Sequence, residues 1–424
     1  MTGFRLLAAC SAAALLTACA ADDPPTGPTI DRLVTIADGD HLASTYGDGI
    51  LAPPGNRDLL HTSTLRDGRV TTTGEVAVSN SVTAAPEVLD LTPDGSVAFV
   101  AERLGRPAPG VTRAAELPAG DLITAVRLPD SGAPQLLDTA RVPSPEALAV
   151  SPDGTRLAVV ANSAAAELWL LPWAGDAFGD PLRFDLATLG ITGTAPGPRG
   201  GVTATSVQWR PDGRALAVNI TTRNRVAFLA VDGPAVRPLG APVPTGPDPF
   251  VGRFTPDGRH YLTSNWGRNF TAPTLAERLP DRPSTITVIR LADSGAHTVT
   301  GTADSGKSAE GLAVSPDGRH VATVNMRGSA LPPGVPGHDD SASVSLLRLD
   351  DGTLTPVGEY PLDGVLPEGG AFDPSGRYFL ATVFQGYRPD RPGPGLQVYE
   401  VGDDGLTPVQ RIPLPHGVHH VVVR

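Results

Sequence analysis

Cysteine is almost absent from this chain of 424 residues, and its scarcity sets the first limits. The two cysteines, Cys10 and Cys19, both lie within the first 19 residues. The chain beyond them therefore has neither a disulfide nor a thiolate metal site, and an apolar core must hold it together. Hydrophobic residues make up 40% of the sequence, and a body of this length can bury a core large enough for that purpose.

Basic charge and helical patterning are also scarce. The chain has 33 basic against 45 acidic residues, for a formal net charge of −12, and Lys307 is its single lysine. An acidic balance of this size argues against a nucleic-acid partner. No segment combines a helical hydrophobic period with capping residues, so the sequence predicts an all-β protein.

An apolar run that is too short to span a bilayer as a permanent helix lies at the N-terminus. Arg5 precedes an apolar stretch at 6–16, and Leu16-Thr17-Ala18-Cys19 resembles the lipobox of bacterial lipoproteins. We expect residues 1–18 to be a lipoprotein signal peptide, Cys19 to be lipidated and 19–29 to be a proline-rich tether. The protein would then be exported and lipid-anchored to the bacterial cell envelope. An ordinary secretory signal in which Cys19 is coincidental is the alternative.

A repeated pattern organises the rest of the chain: an apolar strand, a Pro-Asp-Gly turn or a close relative, and a second apolar strand. The turn positions are 45 to 60 residues apart. A repeat of near-constant period is typical of propellers and solenoids. The copies are VLDLTPDGSVAFV (88–100), ALAVSPDGTRLAVV (147–160), SVQWRPDGRALAV (206–218), VGRFTPDGRHYLT (251–263), GLAVSPDGRHVATV (311–324) and GGAFDPSGRYFLATV (369–383), with a weaker first copy, LVTIADGDHLAST (33–45).

Each copy continues with a third alternating strand and, after another turn, a fourth. Tandem four-stranded units indicate a β-propeller, and the count predicts seven blades of four-stranded antiparallel sheet over residues 30–424. The C-terminal segment PHGVHHVVVR (415–424) aligns with PEALAV (145–150) as one more innermost strand. We expect it to complete the first blade and close the ring, although residues 30–36 could take the same place.

The unit GLAVSPDGRHVATVN (311–325) resembles the YVTN-type repeat of surface and periplasmic bacterial propellers, which belong with the lactonase-like propellers. The resemblance covers nearly the whole chain beyond the signal and implies the seven-bladed fold. It also implies lactonase activity as a candidate function. Lactonase-like propellers carry a Gly-Pro-Arg-His stretch ahead of one turn. The nearest stretch here, Gly246-Pro247-Asp248-Pro249, lacks both the arginine and the histidine.

The residue six positions before each turn proline should lie at the mouth of the central channel. These candidate residues are Glu87, Glu146, Thr205, Phe250, Glu310 and Glu368, with His416 from the C-terminal strand. Four carboxylates near one axis need a metal, arginines or protonation to offset their repulsion. An oxygen-rich cluster suits a divalent cation such as Ca²⁺ or Mg²⁺, although no metal ligands are assigned. Alternatively, each glutamate braces the loop of its own blade.

Arginines at the ends of the second strands, or just beyond them, could supply the offset, and asparagines there add neutral ligating groups. The arginines lie in the long loops 103–120, 266–283, 326–341 and 384–394, which should share one face of the ring. These candidate residues are Arg103, Arg268, Arg327, Arg388, Asn162, Asn265 and Asn325.

Three functions remain open from the sequence. The first is a membrane-anchored, monomeric binding lipoprotein that presents its long-loop face and channel mouth to a protein, glycan or small molecule. The second is a lactonase-like hydrolase or isomerase that uses glutamate, histidine and arginine at the channel mouth. The third is a metal-dependent redox propeller. Fold alone does not choose between them.

Overall fold

The computed structural model is described for residues 27–191, 204–272, 274–386 and 390–424. Seven antiparallel sheets succeed one another along the chain, each built from four strand positions. This arrangement confirms the predicted seven-bladed β-propeller. We number the blades 1 to 7 in chain order and label the strand positions A to D, from the innermost position outward.

The blades contain the following strands in the order A to D. Blade 1 has Val418–Val423, Ile30–Ala37, Leu59–Arg66 and Arg69–Ala77; blade 2 has Leu89–Leu91, Val97–Ala101, Leu122–Arg127 and Gln135–Arg141. Blade 3 has Pro145–Val150, Arg156–Ala161, Leu168–Ala174 and a divided D strand, Ala177–Phe178 with Leu182–Phe184. Blade 4 has Ala204–Trp209, Ala215–Ile220, Arg225–Asp232 and a divided D strand, Ala235–Pro238 with Val243–Pro244.

The last three blades have undivided D strands. Blade 5 has Pro249–Phe254, His260–Asn265, Thr285–Arg290 and Thr298–Asp304. Blade 6 has Ala309–Val314, His320–Asn325, Ala342–Asp350 and Thr353–Leu362; blade 7 has Gly370–Phe372, Tyr378–Val383, Gly395–Gly402 and Gly405–Pro413.

Helix is confined to single turns within the loops of the described chain. These turns are Thr45–Asp48, Leu275–Arg278 and the 3₁₀ segments Ala114–Glu116 and Thr221–Arg223. None of the described helices has the length and apolar character needed to cross a bilayer.

The recurring turn between strands A and B is held by its aspartate. In blade 6, Asp317 accepts hydrogen bonds from the Ser315 hydroxyl at 2.6 Å and from the backbone N–H of Arg319 at 3.0 Å. Gly318 follows with φ of +74°, which a residue with a side chain adopts only with strain. Partial burial raises the pKa of Asp317, but these hydrogen bonds outweigh it and lower the pKa to about 2.

The C-terminal strand closes the ring, as the alignment predicted. Val418–Val423 takes position A of blade 1 and pairs with Ile30–Ala37, so that Thr35 faces Val421 and Ile36 faces His420. Residues 30–36 lie beside the closing strand and do not compete with it. Strands from the two chain termini are therefore hydrogen-bonded neighbours, and the ring has no open sheet edge at this seam.

The weak first copy of the repeat, residues 33–45, was wrongly interpreted as an A strand, a turn and a B strand. Ile30–Ala37 is a B strand, and the loop that follows it runs to the C strand at Leu59. Blade 1 has no A–B turn because its A and B strands, Val418–Val423 and Ile30–Ala37, are not consecutive in the sequence. The apparent turn at Ala37 therefore has no counterpart in the other blades.

Candidate functional site

Irregular pairing between strands A and B places the predicted channel-mouth residues. The register shifts at the start of the A strands of blades 3 to 6, around Glu146, Thr205, Phe250 and Glu310. A bulge of this kind turns one side chain away from the regular alternation of the strand. The position is therefore structurally equivalent in these blades, although the residue that occupies it differs from one blade to another.

His416 does not occupy this position. The residue there is His419, three positions later in the chain, so the sequence alignment was wrong at this point. In blade 1 the register shift falls between Val418 and His420, so His419 is the bulged residue. His416 precedes the strand, where its Nε2 lies 2.7 Å from the backbone oxygen of His41 and its ring packs edge-on against Phe384. The error arose because a Pro-His-Gly turn precedes the closing strand and no A–B turn follows it.

Glu87 is the one ring glutamate that enters the central channel. It is 2% exposed and forms an ion pair with Arg253, which comes from the A strand of blade 5. Burial raises the pKa of Glu87, while Arg253, Ser206 and Gln208 face the carboxylate and act in the opposite direction. The pair joins two blades that are not adjacent, so it crosses the channel.

A cavity of about 730 Å³ occupies the channel around this pair. Its wall includes Glu87, Gln208, Arg253 and His420, and its outer rim includes the exposed turn prolines Pro93, Pro316 and Pro374. The cavity therefore extends from the bulged ring position toward the face with the tight A–B turns. A volume of this size suits a small organic molecule.

His420 Nδ1, a buried polar atom of the cavity wall, has no hydrogen-bond partner within the described residues, whereas Ser206 and Gln208 hydrogen-bond to the Glu87 carboxylate. Burial and the nearby His419 and Arg253 lower the pKa of His420 well below its ordinary value, which keeps the imidazole neutral. Buried polar groups are normally paired with protein or with bound molecules. The channel thus offers an acceptor, a hydroxyl and a neutral imidazole beside one cation.

The other ring glutamates are held within the loop layer. Glu146 is fully buried and contacts both Arg103 and Asn162, so two of the predicted loop residues do meet it. Glu368 accepts a hydrogen bond from the Tyr46 hydroxyl at 3.3 Å and lies 3.8 Å from His419 Nδ1. Glu310 is 3% exposed in the same position of blade 6.

The two ring residues without charge form contacts within and between neighbouring blades. Thr205 lies 2.5 Å from the Thr221 hydroxyl and donates to the backbone oxygen of Phe250 at 2.8 Å. Phe250 packs edge-on against Trp266, with ring centroids 4.9 Å apart. These contacts brace the A strands, which is the structural role that the sequence left open for this position.

The remaining loop candidates have separate partners. Arg268 forms two hydrogen bonds with Asp248, at 2.7 and 3.0 Å, and stacks over Trp266 at 3.8 Å. Arg327 donates to Asp339 at 3.2 Å. Asn265 and Asn325 end the B strands of blades 5 and 6. Arg388, like Cys19, lies outside the described residues. The structure therefore brings only Arg103 and Asn162 to a ring glutamate among the described candidates.

Carboxylates close enough to share a cation occur in the loop of blade 1. Within the described ranges, the grouping of three possible ligands is Asp38, Asp40 and Asp58, whose oxygens lie within 4.8 Å of one another. The ring glutamates are not part of this group. Burial and the neighbouring Asp38 raise the pKa of Asp58 to about 8, so protonation already relieves part of the repulsion without a cation.

Arg253, Ser206, Gln208 and His420 are the channel residues that sequence reasoning missed. All four lie inside A strands, one or three positions after the bulged residue. A signal was present, because most copies carry a small or apolar residue where Arg253 and Gln208 stand. A comparison of the copies at every inward-facing strand position, and not only at the channel mouth, would have identified Arg253 and Gln208 as unusual.

Comparison with solved structures supports the fold. A protein from Bacteroides uniformis, provisionally named a 6-phosphogluconolactonase, is 16% identical, with a TM-score of 0.64 over 93% of this chain and 100% of that chain. A periplasmic gluconolactonase from Pseudomonas aeruginosa is 19% identical, with a TM-score of 0.63 over 92% and 99%. A protein from Lactobacillus plantarum is 13% identical, with a TM-score of 0.62 over 94% of this chain and 100% of that chain.

No family profile and no curated protein matches the chain. At these identities the similarity to solved structures shows a seven-bladed propeller with lactonase-like structural neighbours. It does not assign a reaction to this chain.

Proposed function

We propose that this protein is a ligand-binding propeller whose central channel holds a small, hydroxyl-rich molecule of the class of a sugar lactone or sugar acid. The observation that carries the proposal is the Glu87–Arg253 pair, set in a cavity of about 730 Å³ beside the unpaired His420 Nδ1. Hydroxyl groups suit such a site because each one can donate to a carboxylate and accept from a guanidinium.

The channel chemistry fits one neutral or singly charged ligand. Glu87 Oε2 accepts, Arg253 donates, and Ser206 and the neutral His420 can do either. The names of two structural neighbours refer to gluconolactone chemistry, which supports the choice of ligand class.

Isothermal titration of D-glucono-1,5-lactone and D-gluconate into the purified protein tests the proposal. We expect binding of at least one of them, weakened ten-fold or more by Glu87→Gln, since a hydrogen bond to a charged group contributes about 1.5–3 kcal/mol. Glu310→Gln is the matched control, because Glu310 is a ring glutamate of similar burial that does not line the cavity. Absence of binding, or equal effects of the two variants, would reject the channel site.

Hydrolysis of a lactone is the second candidate, favoured by the presence of His420, Glu87 and Arg253 in one cavity. The neutral imidazole could accept a proton from water, and Arg253 could stabilise the negative oxygen that develops on the carbonyl. Acid release from the lactone, corrected for spontaneous hydrolysis, would separate the two functions. Hydrolysis faster than the spontaneous rate that His420→Gln abolishes would establish catalysis. Binding without any increase over the spontaneous rate would show that the protein binds the lactone but does not hydrolyse it.

The membrane anchor is a separate part of the proposal and depends on the sequence around Cys19. Incorporation of labelled palmitate by cells that produce the full chain tests it. Labelling that is lost in Cys19→Ala, together with release of the protein from the membrane fraction, is the expected result. Equal membrane association of both chains would show that Cys19 is not an anchor.

A further inference from the structure

A second cleft lies on the long-loop face of blade 5, apart from the channel. It has a volume of about 670 Å³ and shares no lining residue with the channel cavity. Its wall includes Asn265 and Trp266 at the end of the B strand, Pro247 before the A strand, and Leu279 and Pro280 from the loop. The ligand of the channel does not account for this cleft.

Asn265 lines the cleft with a buried acceptor that lacks a partner. The residue is 1% exposed, and its Nδ2 donates to the hydroxyls of Thr285 at 3.0 Å and Thr287 at 2.9 Å. Its Oδ1 receives no hydrogen bond within the described chain. A buried acceptor without a partner destabilises the fold, so a site that retains one is a candidate for ligand binding.

Blade 6 contains the same arrangement with every atom satisfied. Asn325, at the equivalent position, also donates to two hydroxyls, and its Oδ1 accepts a hydrogen bond from the Thr323 hydroxyl at 2.8 Å. In blade 5 the equivalent hydroxyl of Thr263 donates instead to the backbone oxygen of Val251 at 3.1 Å. The repeat therefore serves as an internal comparison: of the two blades with asparagine at this strand position, blade 5, which has the cleft, is the one whose asparagine oxygen is open.

Trp266 contributes a buried donor to the same cleft. It is 4% exposed, and its Nε1 has no acceptor among the described residues. The indole nitrogens of Trp169 and Trp209, by contrast, donate to backbone oxygens at 2.8 and 3.1 Å. The cleft thus combines an atom that can only accept with an atom that can only donate.

We propose that this cleft binds a secondary amide, whose N–H donates to Asn265 Oδ1 and whose oxygen accepts from Trp266 Nε1. A ligand that satisfies both atoms must offer a donor to Asn265 Oδ1 and an acceptor to Trp266 Nε1. An amide carries its donor and acceptor on separate atoms. Pro247, Leu279 and Pro280 offer apolar contacts to the substituents of a peptide group, and the wall also contains the charged residues Glu277, Arg278, Asp281 and Arg282.

The indole N–H resonances of the protein provide a direct test. The chain has four tryptophans, and Trp266→Phe assigns the resonance that belongs to Trp266. N-acetyl-L-alanine N-methylamide serves as the small probe, N-acetyl-trialanine amide as the peptide probe, and D-glucose as the hydroxyl control. Titration of the wild-type protein with either amide should shift the Trp266 indole signal and leave those of Trp169 and Trp209 in place.

Comparison of the two amides identifies the source of the ligand. Similar affinity for both indicates a small acylated amine, whereas ten-fold tighter binding of the longer probe indicates a peptide. A shift caused by D-glucose alone, or no shift up to 50-fold excess of either amide, would overturn the proposal.

Stability supplies a second readout that does not need the ligand. Trp266→Phe and Trp209→Phe each replace a buried indole that lies under an arginine by a smaller ring, so both should lose packing. Trp209→Phe, the matched control, also breaks the hydrogen bond to Ala149, so it should lower the midpoint of urea unfolding further than Trp266→Phe does. Equal losses in the two variants would show that the Trp266 N–H has an internal partner, and that result would contradict the proposed site.

Discussion

Glu87 of blade 2 and Arg253 of blade 5 form an ion pair across the central channel, although 166 residues separate them in the chain. The Glu87 side chain is 1% exposed and that of Arg253 is 27% exposed. Removal of one partner from a buried pair leaves the other charge without compensation. This contact therefore links the stability of the ring to the chemistry of the channel.

Arg253→Met should destabilise the protein by about 2–4 kcal/mol, because Glu87 then remains buried without a cation. Glu87→Gln should cost less, since the partly exposed Arg253 keeps access to water. The double variant should be more stable than the sum of the two losses predicts. Urea unfolding of the three variants measures the coupling, and additive losses would show that the pair does not interact.

Acid should weaken the seam between the chain termini. His419 is buried beside Asn80, and burial lowers its pKa to about 4, against the attraction of Asp38. The unfolded chain, with a histidine pKa of about 6.5, therefore binds more protons between pH 6.5 and 4. The stability from the neutral imidazole is complete above pH 6.5 and is lost as the pH falls to about 4, by up to about 3 kcal/mol.

His419→Gln should flatten this pH dependence, because glutamine keeps an N–H for Asn80 and does not titrate. His416→Gln, in the turn that precedes the same strand, is the control and should leave the slope unchanged. Unfolding free energies between pH 4 and 7 provide the measurement. A wild-type slope that persists in His419→Gln would assign the acid sensitivity to another group.

The closing strand should be indispensable. Deletion of residues 415–424 removes Val418–Val423 and exposes the inner edge of the Ile30–Ala37 strand. We expect this chain to aggregate or to lose cooperative unfolding. A monomeric deletion variant with the wild-type circular dichroism spectrum and melting temperature would show that the seam does not hold the ring.

The aspartates of the recurring turns should contribute different amounts to stability, because their hydrogen-bond partners differ. Asp317→Ala should cost about 1–2 kcal/mol, since three hydrogen bonds to the carboxylate are lost, from the Ser315 hydroxyl, the Arg319 backbone N–H and the exposed Arg319 side chain. Asp212, in blade 4, accepts a hydrogen bond from the backbone N–H of Arg214 at 3.0 Å and lies 3.6 Å from Arg210 Nε. Without a serine or threonine hydroxyl, Asp212→Ala should cost less. The reverse order in thermal unfolding would contradict this account of the turn.

The sequence predicts the blade framework well because local chemistry determines it. Asp317 and Gly318 fix the same turn in any blade, and strand alternation follows from burial on a pleated sheet. The seam was predictable for the same reason, since the last strand repeats the pattern of the other A strands. His416 was misplaced because the turn that anchors the alignment is absent from the one blade built from both termini.

The channel site was less predictable because its contacts are not local. Glu87 was recognised from its place in the repeat, but its partner Arg253 lies inside a strand of another blade. No spacing rule relates two residues that meet only after the ring closes. Asn265 was recognised as polar at a strand end. Whether its oxygen is satisfied depends on the rotation of the Thr263 hydroxyl, which the sequence does not specify.

A crystal structure of the protein grown with D-gluconate or D-glucono-1,5-lactone tests the central claim most directly. The account predicts ligand density in the channel, within hydrogen-bonding distance of Glu87 and Arg253 and close to His420. A channel that holds only water at saturating ligand, or a ligand bound elsewhere on the ring, would contradict it.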